Sequence, residues 1–390
     1  MEKVPIFGSG EILSIDSRPW IKLFLYWTGR IEARSSILIY NMIKLSLKES
    51  LREQSVNHQV ILYLGSGKII AYLADLQEIP RVIKWIERPH PDGFQDGFVS
   101  HMDRAIETVE SVVKDLFHNK SSGQNLLHPS SCDFYVVLGN AKVKSYTFES
   151  CKYYHGANRS VSPSDVLSVV EQTRSIATLP LDEHVLQVIP VGFLVNDLEG
   201  VSDPLGLEAQ RLGVTLKILT MLYDDFKNIA RVLELAEIQV QGFFPKCLTS
   251  SYAALSAQER SDGVILVDIS GNLTSLSEWK KSELVSIKTL PLGDNWLSER
   301  IADEYKIDLR DARHVKNTYG SFDSDLQFGD ELIPLVSRDG KSYEHIKRQD
   351  FHDKFWEFGS DWMDQIRNET EKFIKAEKIY HPEYVFIGQA

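Results

Sequence analysis

EGVSDPLGLEAQRLGVTLKILT, residues 199–220, packs a turn, a short amphipathic patch and a closing strand into one stretch. Asp203-Pro204 interrupts regular structure and Gly206 frees the backbone to turn. Val214, Leu216 and Ile218 then alternate as the buried face of a strand. A Pro/Gly turn before a strand is common to many domains, so its meaning comes from what stands on either side.

Upstream, residues 60–75 (VILYLGSGKIIAYLAD) read as a hairpin of β-branched and aromatic residues around Gly65-Ser66-Gly67. Met102, Ile106, Val109, Val113 and Leu116 recur at helical spacing over 101–118. Strands are predicted at 134–138, 143–148 and 184–195, with a helix over 162–176 opened by Ser-Pro-Ser-Asp. Downstream, a helix over 223–237 with Asp224 and Asp225 in its first turn precedes a strand at 239–243 and a helical piece at 250–258. Residues 264–268 (VILVD) form a continuous apolar run ending in a carboxylate, as in a strand buried on both faces. A hairpin runs on to Leu290, and helices are expected at 297–305, 309–318 and 351–377 before a last strand at 384–387. Phe351, Phe355, Trp356, Phe358 and Trp362 read as the core-facing stripe of that long helix. A hairpin-rich unit with helices between, occurring twice around an insertion, points to an α/β architecture of two related halves.

The 390 residues suffice for several compact units, and 43% are hydrophobic. With 55 acidic against 43 basic residues, the net charge of −12 argues against a basic nucleic-acid face. Cys132, Cys151 and Cys247 are widely spaced and form no CxxC pair, which fits free thiols in a reducing, cytoplasmic compartment and speaks against structural zinc. The sequence contains no apolar run of the roughly 18 residues that would span a bilayer, and MEKVPIFGSGE lacks the order of a signal peptide. In residues 35–54, Ile39, Ile43, Leu47 and Leu51 lie opposite Lys44, Lys48 and Arg52, the pattern of a core-facing helix or of a peripheral membrane anchor.

From about residue 59 onward the segments, taken in order, resemble the bacterial cell-division protein family FtsA. The matching segments are GFQDGFV (93–99), HVLQVIPVGFLVNDLEGVSDPLG (184–206), LTSSYAAL (248–255), GVILVDISGNLTS (263–275), LPLGDNWLSERIA (290–302) and ARHVKNTYG (312–320). Cys247 stands where the family has proline. The resemblance implies an α/β, actin-like (ribonuclease H-like) two-domain ATPase fold with an inserted subdomain, called 1C or SHS2. It implies subdomain 1A at 59–92 and 218–262, 1C at 93–217, 2A at 263–290 and 352–390, and 2B at 291–351. Residues 1–58 form an extension of unassigned role. Implied partners are the C-terminal tail of the tubulin-like protein FtsZ, further copies in a filament, other division proteins through 1C, and the inner face of the plasma membrane.

The resemblance also implies a site for ATP and Mg²⁺. Glycine-rich turns suit phosphate because backbone N–H groups can converge where a Cβ would intrude, and a carboxylate at a strand end holds Mg²⁺ through water. Gly65, Ser66, Gly67 and Lys68 match the first phosphate loop, Asp268 and Gly271 the second, Lys316 the adenosine side and Gly388 the terminal turn. Asp268 is the one candidate for Mg²⁺ or for catalysis. The departures are substantial: Tyr63 replaces the first-loop aspartate, Ser270 and Asn272 replace glycines, Ser275 replaces a later aspartate and Arg313 replaces a glutamate. A phenol cannot serve as a Mg²⁺-shell carboxylate, and a guanidinium reverses the charge of the lost acceptor. Asp16, closing the apolar run at 12–15, is a rival first-loop aspartate without a following glycine. Ile387-Gly388-Gln389 replaces the terminal G-G, and the family's later first-domain residues and amphipathic tail do not follow it, so the chain is expected to be truncated or to lack them.

The expected protein is therefore an FtsA-like scaffold with a degenerate nucleotide site and slow or absent ATPase activity. The alternatives are a PilM-type pilus-assembly scaffold and an actin-fold kinase, the latter disfavoured by the missing aspartate and altered glycines.

Overall fold

The computed structural model describes residues 58–388, apart from 66, 76–80, 90, 96, 119–126, 140–141, 155–158, 324–325, 339–342 and 378–382. Asp16, the amphipathic stretch 35–54, Ser66 and Gln389 lie outside the described residues.

β1 (His58–Leu64) and β2 (Lys68–Asp75) pair antiparallel across the first glycine turn, and Val60–Leu64 and Ile69–Asp75 are buried throughout. Such unbroken apolar runs suit strands covered on both faces. β3 (Arg81–Pro89) extends the meander. The short strands β4 (Phe94–Gln95) and β5 (Phe98–Val99) follow, with Gly93 and Gly97 both at positive φ. Gly93 needs its glycine twice over: φ is +80°, and a Cβ would lie 2.1 Å from the Ala105 nitrogen. That close approach sets the start of α1 (Met102–Phe117). β6 (Asp133–Leu138) then returns parallel to β1.

A second sheet is assembled next. β7 (Lys144–Tyr153), β8 (Arg159–Ser160) and α2 (Pro163–Ile176) lead to β9 (Glu183–Val195), β10 (Leu198–Val201), β11 (Glu208–Ala209) and β12 (Arg211–Leu222). The sheet order is β10-β9-β12-β7, so Val214, Leu216 and Ile218 lie on a central strand facing Val166, Val169 and Val170 of α2. α2 starts as its sequence predicts, with Ser162 and Asp165 forming a reciprocal capping box behind Pro163. The opening turn, with Gly206 at φ +78°, is tied back to this unit, Gly206 N–H donating to Val161 O at 2.9 Å.

The chain comes back through α3 (Tyr223–Leu235), whose first turn holds Asp224 and Asp225, to β13 (Val240–Pro245), parallel to β6. The first sheet is thus β13-β6-β1-β2-β3. Within the range 93–217 expected for subdomain 1C, α1 and β6 pack with the first half. Ala105, Val109, Val112 and Leu116 of α1 pack with Val60, Leu62, Leu64 and Ile69, and β6 occupies the slot between β1 and β13. The separate sheet opens at Lys144 and closes at Leu222.

α4 (Lys246–Ala254) and α5 (Ala257–Asp262) replace the single helical piece expected at 250–258, because Ser256 and Glu259 form a capping box that starts a new helix. β14 (Val264–Ile269), β15 (Thr274–Lys280) and β16 (Glu283–Leu290) repeat the meander of β1–β3. After α6 (Asn295–Glu304), α7 (Leu309–Tyr319), the hairpin β17 (Leu332–Val336) with β18 (Tyr343–Lys347), and α8 (Arg348–Glu377), the strand β19 (Glu383–Gly388) pairs parallel to β14. The order β16-β15-β14-β19 matches β3-β2-β1-β6, so the two halves share one topology. Phe351, Phe355, Phe358 and Trp362 of α8 are buried as expected; Trp356, one position off that stripe, is 39% exposed and meets Phe322 edge-on.

Leu186, Ile189 and Leu219 of the inserted unit share one buried cluster with Val60 and Leu62 of the first half and Leu266 and Trp279 of the second. Lys217 adds a polar tie, donating to Thr147 Oγ1 and to the carbonyl of Val285. Glu183 anchors the start of β9: Lys144 Nζ (2.6 Å), Tyr146 Oη (2.9 Å) and Thr220 Oγ1 all donate to it. Burial by itself would raise the Glu183 pKa, but these donors outweigh it and hold the carboxyl below its usual range. Its contribution is present above the ordinary 4.5 and is lost as pH falls through the lowered value. Glu183→Gln is expected to cost about 1 kcal/mol at neutral pH and to make stability fall less steeply on acidification, as read from thermal melts across that range.

Candidate functional site

The two meanders bring their turns towards each other, and the first residue of α4 lies between them. Pro245 closes β13 and caps the helix, so Lys246 emerges at the edge of the first half. Its ammonium crosses to the second half, donating to Asp268 Oδ1 at 2.6 Å and to Ser270 Oγ at 2.7 Å. Asp268 sits where β14 ends, and its Oδ2 is buried without a hydrogen-bond partner. With side-chain exposures of 17% for Lys246 and 3% for Asp268, the pair is well shielded from water.

Tyr63 comes from the other side. Its ring lies between two glycines: a Cβ on Gly65 would come within 2.6 Å of it, and one on Gly139 within 2.7 Å. Gly65 N–H closes the first turn on Lys68 O at 3.0 Å, and Gly139 N–H bonds Leu64 O at 2.7 Å. Burial pushes the Tyr63 phenol well above its ordinary pKa, and the charge of Asp268 adds to the shift, so the ring stays neutral beside the carboxylate. Cys247 is also buried here; desolvation and then Asp268 push its thiol up to about 12, which makes it a packing residue rather than a nucleophile.

The second loop is closed from behind. Asp294 N–H bonds Ser270 O at 2.9 Å, Asn295 N–H bonds Gly271 O at 2.7 Å, and Asn295 Nδ2 bonds Asn272 Oδ1 at 2.5 Å. Gly293 permits this approach, since a Cβ there would lie 2.4 Å from Ser270 O. Lys316 Nζ is bound by Asp294, and Gly388 pairs with Ile269 beside Asp268.

Of the residues expected at a nucleotide site, Asp268, Gly271, Lys316 and Gly388 thus gather at one end of the second sheet. Gly65 turns towards them with its space taken by Tyr63, and Gly67 borders open space. Lys68 is engaged elsewhere, with Glu87 of β3 at 3.3 Å. The sequence reading missed Lys246, Gly139 and Asp294. A signal for Lys246 was present: a carboxylate ending an apolar strand needs a cation, and a lysine stands two residues before LTSSYAAL.

A Mg²⁺-bound nucleotide does not fit this arrangement. Mg²⁺ requires a near-octahedral shell of oxygens and waters, whereas the reachable oxygen of Asp268 already holds an ammonium. Phosphate needs the bare backbone of a glycine turn, whereas a phenol ring lies against Gly65. Among the described residues no cluster of three or more His, Cys, Asp or Glu side chains could hold a metal. An open depression of about 510 Å³, lined by Tyr305, Ile307, Leu335 and Arg338 among others, includes none of the expected site residues.

Comparison with known proteins follows the same lines. Residues 141–220, spanning β7 to β12, match the model of the SHS2 domain inserted in FtsA. The chain is 21% identical to the cell division protein FtsA of Neisseria meningitidis over 284 residues, 73% of this chain and 66% of that protein. It is 27% identical to the cell division protein FtsA of Escherichia coli K12 over 254 residues, 64% of this chain and 59% of that protein. In both cases the match spans less than two thirds of the relative's length. Among solved structures, the PilM-PilN type IV pilus biogenesis complex superposes with a TM-score of 0.56 at 13% identity, covering 85% of this chain and 81% of that one. The topology is that of an actin-like ATPase carrying an inserted SHS2 unit.

Proposed function

We propose that this chain, a divergent member of the FtsA family built on the actin-like fold, serves as a scaffold in bacterial cell division. It acts by binding other proteins rather than by turning over ATP. The observation that carries this reading is the inserted unit: residues 141–220 match the domain that FtsA carries, and the unit interrupts the first of two repeats of one topology. In this reading the partners are the C-terminal tail of FtsZ, further copies of the chain, and division proteins that meet the inserted sheet. Contact with the cytoplasmic face of the membrane is peripheral, since among the described residues no helix is long and apolar enough to cross a bilayer.

A second reading, a pilus-assembly scaffold, is favoured by the superposition on the PilM-PilN complex. A likeness at that level of identity speaks for shared fold, and the inserted-domain match tips the balance to division. Fluorescence anisotropy separates the two: the full chain is titrated against a labelled FtsZ C-terminal peptide and against a labelled N-terminal PilN peptide. Saturable binding of the FtsZ peptide alone is the expected result. Binding of the PilN peptide alone, or of neither, overturns the division reading.

A further inference from the structure

We infer that Lys246 is a latch that closes the inter-half cleft and that Tyr63 fills the space of the first phosphate turn, so that the two halves are held together without nucleotide and Mg²⁺-nucleotide is kept out. The inference deepens the scaffold reading and rests on it for its biological meaning; the latch itself rests on geometry.

Lys246 belongs to the first half, since it follows β13 directly, and both of its acceptors belong to the second, Asp268 at the end of β14 and Ser270 in the following turn. A pair bridging two bodies holds them more firmly the less water reaches it, because the local dielectric falls. Here the carboxylate is almost fully covered and the ammonium largely so. Withdrawal of Lys246 would leave Asp268 buried, with Oδ2 already lacking a partner and Oδ1 newly so. Opening the cleft therefore strands a charge, and that asymmetry makes the contact a latch rather than a surface ion pair.

Charge accounting explains the exclusion of metal. A divalent cation approaching Asp268 meets a fixed ammonium 2.6 Å from the same oxygen. Like charges at such range in a shielded site repel strongly. Tyr63 completes the closure by filling the gap between Gly65 and Gly139. The glycines that would admit phosphate in a working loop here admit an aromatic ring instead. In the second loop the Ser270 N–H is likewise committed, donating to Leu273 O at 2.8 Å.

The test is titration calorimetry of ATP, with Mg²⁺ and with EDTA, into the full wild-type chain, Lys246→Gln and the double variant Tyr63→Asp/Lys246→Gln. Each protein is also probed by limited proteolysis with and without Mg²⁺-ATP. Lys246→Gln is one atom shorter but keeps a donor for Asp268 while removing the charge. No Mg²⁺-dependent heat and an unchanged cleavage pattern are expected for wild type. The double variant is expected to give saturable Mg²⁺-dependent heat with ATP where wild type gives none, and Lys246→Gln is expected to be cleaved faster between the halves without ligand. Saturable Mg²⁺-dependent binding by wild type overturns the latch whether or not the variants fold. Failure of the FtsZ peptide to bind, with the nucleotide results as expected, would leave the latch standing and remove the division reading; the converse pattern would do the reverse.

Discussion

Asp268→Ala is expected to lower the free energy of unfolding by about 3 kcal/mol, the cost typical of removing one partner from a buried ion pair. Lys246 would remain largely shielded, its remaining hydrogen bond going to the neutral Ser270 hydroxyl. The size of the loss is not the worth of the pair, since both ions were desolvated to make it. Replacing both ends by apolar groups, Lys246→Met with Asp268→Val, should therefore bring stability back to within about 1 kcal/mol of wild type. Urea unfolding of wild type, Lys246→Met, Asp268→Val and the double variant closes the cycle. A cost below about 0.5 kcal/mol for Asp268→Ala would mean that water screens the pair as it does on an exposed surface, and the cleft would then be open.

Trp279→Ala should cost about 4 kcal/mol, the range for deleting a large buried aromatic. Trp279 is fully buried on β15, meets Tyr252 edge-on at 5.0 Å between ring centroids, and has the Arg260 guanidinium 5.8 Å from its ring. More depends on where it lies. Its cluster also contains Val60 and Leu62 of the first sheet and Leu186 and Leu219 of the inserted sheet, so the cavity would loosen the junction of all three units. Wild type and variant are therefore expected to unfold in single transitions, the variant at lower urea, with fluorescence and far-ultraviolet circular dichroism superposing. Two separated transitions in wild type would show instead that the halves melt as independent bodies, which is unsuited to a scaffold held shut without ligand.

Both expectations concern residues whose importance is partly visible in the chain. Asp268 declares itself by ending an apolar run, and burial at Val264–Val267 follows from the same run. Lys68 shows the opposite case. It stands directly after the glycine turn where a phosphate ligand would be sought, yet Glu87, nineteen positions away on β3, takes its ammonium.

What the sequence determined by itself was local. Alternation and apolar runs set the strands, Gly65-Ser66-Gly67 and Gly271 set the turns, and Ser162-Pro163-Ser164-Asp165 set the start of α2, because periodicity, turn chemistry and capping act over a few residues. The ordered set of motifs carried the actin-like fold and its insertion. Tertiary structure alone decided that β6 belongs to the first sheet and that α1 packs on it, since a run such as Phe134–Leu138 pairs equally well with any strand of matching face until β1 offers the register Val60↔Phe134 to Leu64↔Leu138. It also decided the state of the cleft. Tyr63 and Lys246 are far apart in the chain, and only the folding of β13 beside β6 and β6 beside β1 brings an ammonium onto Asp268 and a phenol within range of its charge. The physical reason is that burial and charge compensation depend on which distant groups share a volume, and no local pattern encodes that.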